Sequence, residues 1–207
     1  RQLMNQALYL DPHDPYVLYF TGVVEESMQA YGAAKRKYAA VRGDSPVGLA
    51  AKIRLAEATF RDGDQKQGVA MAKQLAGGRP DVQGVQRSLA EMAFDSRDYA
   101  TALKAYDRLL ALQSGDVPAQ MLAAMYFARG ASYERVGNYD KAAEDLALSL
   151  ILNPASPGVL NYLAYMWVDR GEKLRESTVM LERAHEAAPE DGAIMDSLGW
   201  AYYQQGW

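Results

Sequence analysis

Small and large residues recur along this chain at the spacing of paired helices. No stretch keeps the alternation of apolar and polar residues that a half-buried strand shows. One series of small residues repeats roughly every 34 positions, at Gly22, Ala56, Ala90, Gly130, Ala164 and Gly199. A second series lies about twelve residues later, at Ala34, Gly68, Ala102, Ala142 and Ser177. Because closely crossing helices need small residues where they meet, the pattern predicts a succession of helix pairs.

Prolines and glycines mark the ends of these predicted helices. Apolar stretches close at steps of 34, 34, 34, 40 and 35 residues, at Pro12, Pro46, Pro80, Ser114, Pro154 and Pro189. A period near 34 is typical of a two-helix repeat. Glycines that favour a left-handed turn follow the first helix of several pairs, at Gly63, Gly137, Gly171 and Gly206. The long step is expected to lengthen the helix that starts near Pro118, and Ser156-Pro157 is a helix-start signal.

Two stretches carry a resemblance to a known family. "RGASYERVGNYDKAAEDLALSLILNP" and "DSLGWAYYQQGW" contain the Leu-Gly-x-x-Tyr, Ala and Pro positions, and with the period they resemble the tetratricopeptide repeat (TPR) family. Thr59 and Ala93 replace the usual Tyr, and the third repeat lacks a closing Pro. The resemblance implies an all-α fold, a right-handed superhelical solenoid of antiparallel helix pairs. We divide this single solenoid into a second helix at 1–14, full repeats at 15–48, 49–82, 83–122, 123–156 and 157–191, and a first helix at 192–207.

The segment from Val159 to Gly206 resembles the terminal repeats of long bacterial tandem-repeat proteins. Some of those relatives are outer-membrane lipoproteins, and one group acts as adaptors for periplasmic proteases. The resemblance leaves two locations open, the bacterial cytoplasm and the periplasm. In the periplasm, the full-length protein could be anchored to the outer membrane. Both ends interrupt a repeat, and solenoids usually carry polar caps. We therefore expect a fragment of a longer array, or ends that another chain covers.

Composition and charge narrow the function. The net charge of -4 and pI near 5.3 argue against nucleic acid as a partner. The absence of Cys excludes disulfides, thiolate catalysis and Cys-bound metals. No apolar run approaches the roughly 18 residues of a membrane span, so we expect no membrane insertion.

The sequence offers little catalytic chemistry. His13 lies in a turn motif, and His185 has Glu182 and Glu186 near it at helical spacing. A metal site needs several converging ligands, so we interpret both histidines as surface residues. No nucleophile elbow or phosphate-binding glycine motif occurs. We expect no enzyme activity, no metal and no cofactor.

The resemblance places the first helix of each repeat on a concave face, where partners bind. Aromatic side chains supply binding hot spots, and carboxylates favour a partner with Lys or Arg. The Lys and Asn clamp that some relatives use for a carboxyl terminus is incomplete here. The candidate binding residues are Tyr16, Tyr19, Glu26, Glu57, Phe60, Glu91, Phe94, Phe127, Glu134, Asn161, Tyr165, Trp200 and Tyr203.

These observations favour a non-catalytic scaffold or adaptor that binds a peptide or protein segment in a concave groove. Two alternatives stay open. One is a structural protein that self-associates or builds an envelope complex through its ends, where Trp200 or Tyr203 would be exposed. The other is an adaptor that delivers substrates to a protease.

Overall fold

The computed structural model describes residues 9–207, and every regular element there is an α-helix. This confirms the predicted all-α class. Of the helix predicted within 1–14, Tyr9 and Leu10 are helical in the structure. Residues 1–8 of that prediction lie outside the described residues. The helices are α1 (Pro15–Ser27), α2 (Tyr31–Ala40), α3 (Gly48–Arg61), α4 (Gln65–Gly78), α5 (Gln83–Asp95), α6 (Tyr99–Ala111), α7 (Ala119–Arg135), α8 (Tyr139–Leu152), α9 (Pro157–Asp169), α10 (Leu174–Ala187) and α11 (Gly192–Gln204).

The chain forms two compact units, Arg1–Gln113 and Ser114–Trp207. In the first unit, α1 packs on α2, α3 on α4 and α5 on α6, and each pair packs on the next. In the second unit, α7 packs on α8 and α9 on α10, while α11 contacts both α9 and α10. Each unit is therefore a stack of helix pairs in chain order.

The small residues lie where two helices of a pair cross. Ala34, Ala102 and Ala142 have no exposed surface. A methyl group on Gly22 would lie 2.5 Å from Cε1 of Tyr38, a ring that is itself only 2% exposed. These residues are therefore buried in the contact between the two helices, where a ligand cannot reach them.

After each first helix, the second residue beyond the helix end has a left-handed backbone conformation. Gly63 has φ +103°, and Gly137, Gly171 and Gly206 adopt the same region. After α1 and α5 the turn is made by Gln29 (φ 59°) and Arg97 (φ 63°). The same turn therefore occurs in pairs that carry no glycine there.

Pro118 and Pro157 both stand at the start of a helix, but at positions that differ by one residue. Pro157 is the first residue of α9, whereas Pro118 precedes α7 as its N-cap. The helix after Pro118 has 17 residues.

No helix in the described part of the chain is long and apolar enough to cross a membrane.

Candidate partner-binding site

The first helices of the first unit line a groove of about 390 Å³. Tyr19 from α1 lies at one side, and the walls come from α3 and α5. The groove brings together four candidate residues with other charged side chains. Its lining includes Tyr19, Ile53, Glu57, Phe60, Glu91 and Asp95.

Glu26 lies beneath this groove rather than on its surface. Its side chain is 7% exposed, and Tyr38 Oη donates a hydrogen bond of 2.8 Å to its Oε2. Oε1 of Glu26 lies 3.5 Å from a guanidinium nitrogen of both Arg54 and Arg61. Burial raises the pKa of Tyr38, and the neighbouring Glu26 carboxylate raises it further. Glu26 therefore orients two arginines of the groove wall from below.

Three carboxylates share the groove with these arginines. Glu57 comes from α3, and Glu91 and Asp95 lie one turn apart on α5. Desolvation of the Glu91 carboxyl raises its pKa, and the nearby charge of Glu57 raises it further, while Arg87 lowers it. Glu91 is thus held where its negative charge is unfavourable in the free protein. A cation entering the groove would relieve this.

The aromatic candidates of the first unit differ in exposure. Tyr16 is 47% exposed on α1 and is absent from the lining of the 390 Å³ groove. Phe60 is 9% exposed, and its backbone and Cβ lie against Gly68, so most of its ring belongs to the interior. The ring of Phe94 packs edge-to-face on Tyr99, with centroids 5.8 Å apart.

The second unit has a separate groove of about 240 Å³ between α7, α9 and α11. Tyr162 Oη donates a hydrogen bond of 3.0 Å to Oε2 of Glu134 across it. Burial, assisted by the Glu134 charge, raises the pKa of Tyr162 to about 12. Oδ1 of Asn161 is buried without a hydrogen-bond partner in the described residues, and Tyr165 is 44% exposed beside it. The groove therefore combines an unused acceptor with an accessible ring.

The remaining aromatic candidates lie outside this groove. Phe127 is partly buried and packs edge-to-face on Tyr162, with centroids 5.5 Å apart. Trp200 and Tyr203 stack on each other near the end of α11, with centroids 5.4 Å apart, and Tyr203 is 68% exposed. Phe127 thus supports the groove from behind, while the stacked pair forms an exposed surface of its own.

Sequence reasoning missed several lining residues. Arg54, Tyr162 and Arg170 line the grooves but were not among the candidates. Arg170 lies 4.0 Å from the ring centroid of Tyr139, which places it over a residue at the start of α8. Arg54 could have been found from its position three residues before Glu57, the spacing of neighbours on one helix face.

Neither histidine lines either groove. His13 is exposed in the turn before α1, and His185 lies on α10 with its Nδ1 buried. No group of three or more metal-ligating side chains converges within residues 9–207.

Comparisons with known proteins agree with the helix pairs. No protein-family model matches the chain. A TPR repeat-containing protein of Pseudomonas aeruginosa is 30% identical over 82 residues, which are 40% of this chain and 14% of that protein. The matched segment therefore spans a small part of that relative.

Solved structures resemble a larger part of the chain. A tetratricopeptide repeat protein from Parabacteroides merdae has a TM-score of 0.76 at 19% identity, covering 93% of this chain and 73% of its own. MamA from Desulfovibrio magneticus has a TM-score of 0.74 at 15% identity, covering 86% of this chain and 97% of its own. These likenesses show the fold. Together with the repeated sequence positions, they show that this chain has the helix-pair fold of tetratricopeptide repeat proteins.

Proposed function

We propose that this chain is a non-catalytic scaffold whose first helices bind a segment of another protein. Stacked helix-pair arrays generally work by presenting such surfaces to partners. The observation that carries the proposal is the groove of the first unit. Glu57, Glu91 and Asp95 line it together with Tyr19 of α1, and Arg54, Arg61 and Arg87 line it as well. The partner would be a peptide segment with basic and apolar residues.

A Lys or Arg side chain of the partner would bind among the three carboxylates of the first groove. Glu91 has a raised pKa because its carboxyl is desolvated near Glu57. A bound cation would favour the charged form of Glu91 and offset the repulsion between the carboxylates.

The groove of the second unit is a separate candidate site for a peptide segment. The exposed ring of Tyr165 offers apolar area at low entropy cost. Replacing Tyr165 by Ala is a better test of binding than replacing Phe127, because Phe127 also packs on Tyr162.

A displayed library of random peptides tests the proposal directly. Peptides selected on the wild-type chain should be enriched in Lys and Arg, and each would then be measured by fluorescence anisotropy. Glu91→Gln should weaken the binding of these peptides by roughly fivefold. Glu144→Gln removes one negative charge from the exposed side of α8 and serves as the matched control. Equal affinities for both variants would refute a role for the first groove.

The pH dependence separates binding from folding. Affinity for a cationic peptide should rise as the pH rises through the pKa of Glu91, above the ordinary Glu range near ~4.3. The Gln variant should lack this step. Because the pKa is raised in the folded state, any stability that Glu91 contributes is present at low pH and lost as the pH rises. Glu91→Gln should therefore not lower the free energy of unfolding at neutral pH, so weaker binding cannot come from unfolding.

A further inference from the structure

The outer side of the second unit carries an exposed apolar patch on its second helices. Leu148 and Ile151 on α8 are 39% and 72% exposed, and Val179 on α10 is 55% exposed. We call these three residues the outer patch. Ile151 and Val179 stand on the two sides of a groove of about 580 Å³, which contains Leu163 and Trp167 of α9. This groove shares no lining residue with either groove proposed to bind a peptide.

The other repeats show that helix packing does not need large apolar residues at these positions. Counted back from the residue that closes each full repeat, the positions of the outer patch hold small, polar or charged residues in the other four full repeats. Those equivalent to Leu148 are Ala40, Gln74, Arg108 and Arg183; to Ile151, Gly43, Gly77, Ala111 and Glu186; to Val179, Arg36, Ala70, Lys104 and Glu144. The outer patch is therefore a local addition to the repeat, and exposed apolar patches of this kind mark interaction sites.

Charges around the groove indicate what covers it. Glu176 and Arg183 both line the groove from α10, on opposite sides of Val179 along the helix. They are seven residues apart, which is about two turns, so they share one face of α10. A helix that lies antiparallel on this face needs a cation opposite Glu176 and an anion opposite Arg183. The α10 helix of a second copy supplies both, since reversing its direction exchanges the two charges.

We infer that the outer face of α8 and α10 is an interface between two copies of this chain, related by a two-fold axis near Val179. Each α10 lies antiparallel to the other, with Glu176 of one copy opposite Arg183 of the second, twice. The two outer patches face each other and leave water together. Such an isologous interface is self-complementary and closes at the dimer.

Charge exchange tests the inference on the whole 207-residue chain by sedimentation velocity over a range of concentrations. The wild-type chain should form a dimer. Glu176→Arg alone and Arg183→Glu alone each place like charges opposite one another, and each should weaken the dimer by roughly tenfold or more. The double variant, and an equimolar mixture of the two single variants, should both dimerise again because every pair is then of opposite charge.

A matched control comes from the first unit. Lys104→Glu changes the charge by the same amount as Arg183→Glu, at the position equivalent to Val179, and should leave the dimer unchanged. Circular dichroism of each variant shows whether the helices are retained. A wild-type chain that stays monomeric at the highest concentration would overturn the inference and leave the face to another partner. A dimer that ignores the charge exchanges would overturn it as well.

Discussion

Replacing Gly22 by Ala should destabilise the first unit, whereas the same change at Gly199 should stabilise the second. Both glycines occupy the same repeat position, as does Gly130. A methyl group at Gly22 would lie 2.5, 2.8 and 2.9 Å from three ring atoms of Tyr38. At Gly130 the nearest side-chain atoms would be 3.1 Å away, and at Gly199 nothing lies within 4 Å. The clearance therefore predicts the order of the three effects.

The size of the effect at Gly22 follows from two opposing contributions. The new methyl would be about 1 Å closer to the ring than the ~3.5 Å of an ordinary carbon contact. Tyr38 is 2% exposed and its hydroxyl is bonded to Glu26, so the ring cannot withdraw freely. Overpacking of this kind costs about 1–3 kcal/mol, and Ala regains about 0.8–1 kcal/mol over Gly in a helix. We expect a net loss of about 1 kcal/mol at Gly22, an effect near zero at Gly130 and a gain of up to about 1 kcal/mol at Gly199.

Urea unfolding followed by circular dichroism measures these changes, and hydrogen exchange of helix peptides assigns each change to its unit. A double variant, Gly22→Ala with Tyr38→Leu, reproduces the Ala and Leu found at Ala164 and Leu181. The two substitutions should couple favourably in a double-mutant cycle, because the smaller side chain removes the clash. If Gly22→Ala and Gly199→Ala change the free energy of unfolding equally, the claim that clearance at this position controls stability is wrong.

Two further predictions concern a buried ion pair and the pKa values of buried tyrosines. Arg129→Ala should destabilise the second unit by about 3 kcal/mol or more, because Asp145 is buried and receives two hydrogen bonds of 2.7 Å from Arg129. Arg42→Ala, which breaks an equally short but fully exposed pair with Asp44, should leave urea unfolding nearly unchanged, and equal losses would contradict the burial argument. Stability should also fall as the pH rises above the ordinary Tyr range near ~10, because burial raises the pKa of three tyrosines in the folded chain, Tyr38, Tyr106 and Tyr162. Urea unfolding at several alkaline pH values, with tyrosine absorbance as the titration signal, should show this loss; a flat profile would refute it.

The helix pairs could be predicted from the sequence because their packing is local and repeated. Small residues at Ala34, Ala102 and Ala142 recur wherever two helices cross, so their spacing carries the fold. The turns at Gln29 and Arg97 could not be predicted in the same way. Neither residue favours a left-handed backbone by itself, and only the surrounding helix pair makes the conformation evident.

The candidate site was harder to predict because it depends on contacts between distant residues. The sequence shows Glu26 and Glu57 on the first helices of two successive repeats, yet Glu26 is buried under Tyr38, Arg54 and Arg61. Phe60 is likewise only 9% exposed, and its backbone and Cβ lie against Gly68. Helical spacing gives the side of a helix, whereas the depth of a side chain depends on its neighbours in the next repeat.

Photocrosslinking gives the most direct test of the claim that the first helices bind a partner segment. A benzophenone amino acid would replace Ile53 in the first groove or Tyr165 in the second, and Lys66 or Lys141 on the exposed side of second helices as controls. With a selected basic peptide as the probe, crosslinks should form at the two groove positions, and excess unlabelled peptide should abolish them. Crosslinks that form mainly at Lys66 or Lys141 would contradict the account.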